Sequence, residues 1–212
     1  MNILAREHQL AEVYNPAKGL IDSEIGNIER YLDTARSNLL FAKGVILVEG
    51  DAEQFLIPEL IKAVFGISLD EIGVSLINIG STGFKNIANL FHDSRIKRKC
   101  AIITDNDISI IPLPENPEED TDEQKKHRNS EKSGKERKTQ LDEYCKENNW
   151  IKAFYAKHTF EVDFLLSNNS HEVNKTDSGL YKQSDTKEKI KAKLERGDVA
   201  VSGKEILRLA NK

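Results

Sequence analysis

The chain has 212 residues, 38% hydrophobic and 31% charged, and its 31 Lys and Arg against 35 Asp and Glu leave a net charge of −4. That is enough chain for one medium domain with appendages and a real core, and its composition excludes a wholly disordered protein. The mildly acidic balance carries no overall basic footprint of the kind nucleic-acid binders usually show, although metal-binding carboxylates and an acidic insert can mask a local basic patch.

The opening MNILAREHQL holds charges and no long apolar run, so no signal peptide is expected. Asn15-Pro16 and Gly19 interrupt the first 22 residues. From Asp22, apolar Ile25, Ile28, Leu32, Ala35 and Leu39 recur at helical spacing, with Asp22 or Ser23 as the cap. Gly44–Glu49 (GVILVE) is a β-branched run that predicts a buried strand. A helix is expected from Asp51 to about Phe65, a second strand over Val74–Ile79, a Gly80-Ser81-Thr82-Gly83 loop and a helix near Phe84–His92. Lys99–Thr104 predicts a third strand, stopped by Asp105-Asn106-Asp107. Such alternation argues for a mainly parallel α/β sheet.

Beyond it the composition changes. Pro112 to about Lys138 is rich in Pro, Glu, Asp and Lys without apolar periodicity, which predicts a mobile insert or solvated extension. A helix near Thr139–Glu147, a strand near Trp150–Tyr155 and a helix from Thr159-Phe160 follow. Asn168–Gln183 reads as polar loop, and Lys187–Arg196 and Lys204–Asn211 as closing helices. The longest apolar stretch, Gly44–Val48, is far short of a membrane span. Cys100 and Cys145 are far apart, form no ligand spacing and read as reduced thiols. A cytoplasmic protein without membrane contact is expected.

The acids are informative by position. Glu49 follows the first strand, and Glu53 lies four residues on, in the first turn of a helix. Asp105 and Asp107 follow another strand, two residues apart. In open parallel sheets, ligands bind beyond the carboxyl ends of the strands. Carboxylates gathered there repel unless compensated, and one or two hard divalent cations supply that compensation. Mg²⁺ or Mn²⁺ suits such a donor set better than zinc. Taken singly, each acid has a plainer reading: Asp51 with Gln54 resembles a capping box, Glu53 stabilises a helix N-terminus, and Asp-x-Asp is common in turns.

Val48-Glu49-Gly50-Asp51-Ala52-Glu53 and Thr104-Asp105-Asn106-Asp107 resemble the two signature motifs of Toprim domains. The stretch Tyr31 to Lys43 leading into the first is similar to OLD-family (overcoming lysogenization defect) nucleases. Thr159-Phe160-Glu161-Val162-Asp163-Phe164 is similar to a third family motif, which makes Glu161 a fifth candidate ligand. The resemblance implies a Toprim fold, a small mainly parallel sheet flanked by helices. Together with the pattern along the chain, it gives the expected organisation: a helical lead-in over 1–42, a catalytic domain over 43–167 with a polar insert at 112–138, and a helical extension over 168–212. The implied activity is DNA endonuclease chemistry with one or two Mg²⁺ or Mn²⁺ ions, in which Glu49, Asp105 and Asp107 are catalytic and Glu53 and Glu161 assist as metal ligands.

Two departures matter. OLD proteins join an ABC-type ATPase to this domain, yet no Gly-x-x-x-x-Gly-Lys-Ser/Thr loop is present, so an ATPase is expected as a partner outside this chain. The family's catalytic lysine lies in a stretch that would begin where this sequence ends, and Lys212 is the nearest lysine. Slow cleavage is one expected consequence. A non-catalytic nucleic-acid or partner-binding module, or a primase- or topoisomerase-type enzyme, are the alternatives.

Other features have two readings each. The Gly80–Gly83 loop is either a phosphate contact or a tight turn. Arg95, Lys97, Arg98 and Lys99 are either DNA-backbone contacts or a solvated helix end. His158 reads as a surface residue.

Overall fold

The structure is a computed structural model and describes residues 2–7, 10–32, 37–80, 83–177, 181 and 183–210. The chain divides into two compact units, Met1–Thr104 with Thr139–Phe154, and Asp105–Lys138 with Tyr155–Lys212.

In the first unit, β1 (Ile3–Glu7) and β2 (Leu10–Tyr14) form an antiparallel pair. Ile3 opposite Tyr14 is buried and Leu4 opposite Val13 is exposed, the alternation that a pleated strand imposes. This pair replaces part of the expected helical lead-in, because two strands of only five residues leave little periodicity to read. The helix expected from Asp22 is α1 (Asp22–Tyr31), entered through a backbone N–H of Ile21 that donates to Glu24 at 3.0 Å. Ala35 lies outside the described residues, and Ser37–Leu40 forms a 3-10 turn.

A four-stranded sheet follows, in the order β4 (Val74–Asn78), β3 (Gly44–Val48), β5 (Lys99–Asp105), β6 (Ile151–Ala156). β3 runs parallel to both neighbours, with Val48 opposite Asn78 on one side and Ile103 on the other. Its Val45, Leu47 and Val48 are sealed from solvent, as expected of a central parallel strand covered on both faces. α2 (Asp51–Phe65), α3 (Leu69–Ile72) and α4 (Phe84–Ala88) complete this part of the chain. Gly66, in the left-handed region at φ 69°, ends α2 and donates its N–H to Lys62 O.

Residues 122–146 form one helix, α5 (Asp122–Lys146), and this corrects the mobile insert expected to end near Lys138. The side of α5 that packs is polar over its first half, so apolar periodicity could not reveal it. In the second unit, α6 (Phe160–Phe164) and α7 (Ser170–Asp177) are separated by Asn168 at φ 67°. The expected loop over 168–183 therefore contains a helix. α8 (Ser184–Leu194) and α9 (Val199–Ala210) close the unit. Leu165, Ile190 and Leu194 form an apolar cluster in it, with Val173, Tyr181, Ile206 and Leu209 packed around them. Among the described residues, no helix is long and apolar enough to cross a membrane.

Candidate functional site

Glu49 immediately follows β3 in the first unit. One carboxylate oxygen accepts the Thr104 hydroxyl at 2.6 Å, and Thr104 is fully buried. The register that sets Val48 beside Ile103 brings the next residues of the two strands, Glu49 and Thr104, together. Glu53 is a buried carboxylate, only 5% exposed, in the first turn of α2. A β-carbon on Gly50 would meet its Oε2 at 3.1 Å, so the glycine lets that carboxylate fold back over the helix start. The positive end of the helix dipole offsets part of the cost of burying this charge. Asp51 is not the cap, which is Gly50; its carboxylate accepts Asn78 Nδ2 at 2.8 Å, and Asn78 Oδ1 accepts Gly80 N–H at 2.7 Å. Ser81 and Thr82 of the candidate phosphate loop lie outside the described residues, as does Lys212.

The other acids belong to the second unit. Asp105 is the last residue of β5. Asp107 occupies the left-handed region at φ 54°, which an aspartate tolerates better than most residues. The backbone N–H groups of Asn106, Asp107 and Ile108 donate to the carbonyls of Ala156, His158 and Lys157 at 3.0–3.2 Å. On the α5 side, Arg137 Nη2 donates to Asp107 Oδ2 at 2.8 Å and to the Asp105 carbonyl at 2.7 Å. Glu161 sits half-buried in the first turn of α6. Its neighbour Asp163 accepts the backbone N–H groups of Lys157 and His158 and fixes the turn into that helix.

His158 is 4% exposed and its Nδ1 lies 2.8 Å from Ile108 O, so it is a buried strut for the acidic loop rather than a surface residue. The basic run is engaged within the first unit. Arg95 donates to Asn89 O, Lys97 pairs with Glu12 at 3.7 Å, and Arg98 lies 5.5 Å over the Tyr14 ring. Lys99 donates to Asn149 O at 2.8 Å. Sequence reasoning missed Arg137, because one more basic residue in a charged stretch carries no signal.

Among the described residues, no three Asp, Glu, His or Cys side chains stand gathered as a formed metal cluster. The donor chemistry nevertheless fits a hard divalent cation. Every candidate ligand is a carboxylate, and Asn106 Oδ1, between two of them in sequence, is a buried acceptor with no hydrogen-bond partner. At Asp107 the Arg137 guanidinium already supplies positive charge.

Residues 40–107 match the family model for the overcoming lysogenization defect protein-like TOPRIM domain. No curated protein matches the chain. The fold is similar to that of the C-terminal region of the Burkholderia pseudomallei OLD protein, at a TM-score of 0.53 and 23% identity over 81% of this chain and 82% of that one. It is also similar to the C-terminal region of the Xanthomonas campestris pv. campestris OLD protein, at a TM-score of 0.54 and 20% identity over 82% and 79%. Residues 40–107 belong to the OLD-like Toprim family, and the fold around them is that of the C-terminal regions of OLD proteins.

Proposed function

We propose that this chain is the metal-dependent DNA endonuclease part of an OLD-type ATPase–nuclease. The observation that carries this reading is that Glu49, Glu53, Asp105 and Asp107 all fall within the Toprim-matched segment 40–107. Glu49, Asp105 and Asp107 are the residues that would hold one or two Mg²⁺ or Mn²⁺ ions, with Glu53 and Glu161 assisting. Such ions, when bound, activate water and offset charge on the leaving oxygen of a phosphodiester. The chain's own part is to present the carboxylates. Thr104 fixes one oxygen of Glu49, and the backbone of residues 156–158 fixes the Asp105–Asp107 loop. An ABC-type ATPase domain or subunit would be the partner that couples this chemistry to nucleotide hydrolysis.

The test is cleavage of supercoiled and linear DNA in Mg²⁺, Mn²⁺ or EDTA by wild type and Asp105→Ala. Metal-dependent nicking or cutting that disappears in a folded Asp105→Ala protein is the expected result. Equal cleavage by the two proteins would overturn the assignment.

A further inference from the structure

Over residues 122–138, α5 packs through a face that is almost wholly polar and repeats every three to four residues. Gln124 donates to Pro112 O at 3.0 Å, Arg128 holds Asp120 and donates to Pro114 O at 2.7 Å, and Glu131 accepts the Ser109 N–H at 3.0 Å. Gly134 lies against the acidic loop itself: a β-carbon there would stand 2.2 Å from Asn106 O and 3.2 Å from the Asp107 β-carbon. One turn on, Arg137 reaches Asp107 Oδ2 and the Asp105 carbonyl. The loop from Asp105 to Asp120 thus takes its shape from the helix that follows it. A surface helix without an apolar stripe has no packing reason to lie flat on a loop, and these polar contacts supply one.

We propose that Gly134 and Arg137 are positioning residues for the Asp105–Asp107 acid pair. Gly134 lets α5 seat directly on the Asn106 carbonyl. Arg137 holds one oxygen of Asp107 and leaves Oδ1 as the oxygen offered to a cation. Groups that orient a ligating carboxylate through its second oxygen commonly change metal affinity by about 10–100-fold. This inference rests on the metal-site reading above.

Charge and positioning make opposite predictions for Arg137, which makes the residue testable. A guanidinium beside the acids repels a cation, so by charge alone its removal raises cation affinity. Positioning requires that its removal lower affinity.

The experiment is Mn²⁺ binding to the full chain, followed by electron paramagnetic resonance, with circular dichroism to confirm folding. Wild type is compared with Arg137→Gln, Arg137→Lys, Gly134→Ala, Asp105→Ala and, as a control on the exposed side of α5, Ser133→Ala. Affinity about tenfold or more lower in Gly134→Ala and Arg137→Gln, partly restored in Arg137→Lys and unchanged in Ser133→Ala, is expected. Affinity that is unchanged or raised in Arg137→Gln, or unchanged in Gly134→Ala, overturns the positioning role. If Gly134→Ala does not fold, the sign of the Arg137→Gln effect still decides. Binding unchanged in Asp105→Ala overturns the metal-site reading instead, and this inference falls with it.

Discussion

The hydroxyl of Thr104 donates to Glu49 across 2.6 Å, between the ends of two parallel strands. Thr104 is fully buried, so its hydroxyl was dehydrated on folding and its stabilising value lies in this bond. Thr104→Val keeps the side-chain shape and removes the donor. A hydrogen bond to a charged group is worth about 1.5–3 kcal/mol, and a loss in that range is expected. Urea unfolding of the variant at neutral pH measures it, and a loss below about 0.5 kcal/mol would show that solvent or another donor replaces the hydroxyl.

Asn148 is a second buried polar group whose loss should be felt. Its Nδ2 donates to Phe91 O at 2.7 Å, and its Oδ1 accepts the Trp150 N–H at 2.9 Å. The carbonyl of Trp150 in turn accepts Cys100 N–H at 2.8 Å, where the chain enters β6 beside β5. Asn148→Ala leaves the Phe91 carbonyl and, at the start of the edge strand β6, the Trp150 N–H without their partner. The expected cost is about 2–3 kcal/mol. Hydrogen exchange at the Trp150 amide should accelerate more than at amides of the central β3, and uniform acceleration across the sheet would contradict this local account.

Acid stability should depend on Asp120 and Glu205. Asp120 accepts hydrogen bonds from Arg128 at 2.6 and 2.9 Å, and this guanidinium holds its carboxyl below the usual aspartate range. Burial pushes Glu205 up, but hydrogen bonds from Arg208 and Lys193 more than offset it, so the net direction is down. A carboxyl lowered in the folded state contributes stability above its unfolded value, roughly 4, and that contribution is lost as pH falls through the folded value. Wild type should therefore exceed Asp120→Asn and Glu205→Gln in thermal stability at pH 7, and the gap should close as pH falls below about 4. A gap that stays constant from pH 7 to pH 2.5 would assign the effect to shape rather than charge.

What the sequence discloses follows from the kind of packing involved. β3 and β5 are legible because GVILV and KCAIIT are short β-branched or apolar runs, and a central parallel strand must be apolar on both faces. The acid motifs are legible because their positions at strand ends are set by those same runs. The end of α5 is legible as the helix expected near Thr139–Glu147, but its first half is not, since Gln124, Arg128, Glu131 and Arg137 pack through hydrogen bonds that leave no hydrophobic period. His158 misleads for a related reason: a lone histidine is usually exposed, and only the fold shows that the Ile108 carbonyl stands ready to receive it. The β1–β2 pair escapes notice because strands of five residues carry little alternation to count.

Cation binding should also register as stability. A ligand that binds only the folded chain adds RT ln(1 + [L]/Kd), about 2.7 kcal/mol at a hundred times Kd. For a chain of this size each kcal/mol moves the melting temperature by about 2–4 °C, so saturating Mn²⁺ should raise it by roughly 5–10 °C. Excess EDTA should reverse the shift. Asp105→Ala should abolish it, since a hard cation loses a carboxylate that no neutral side chain replaces. Ca²⁺ provides a useful contrast, because it takes oxygen donors at longer distances and more of them, and a few carboxylates satisfy it less well than Mn²⁺. A thermal shift of equal size in wild type and Asp105→Ala would place the bound Mn²⁺ elsewhere on this acidic surface and remove Asp105 from the ligand set.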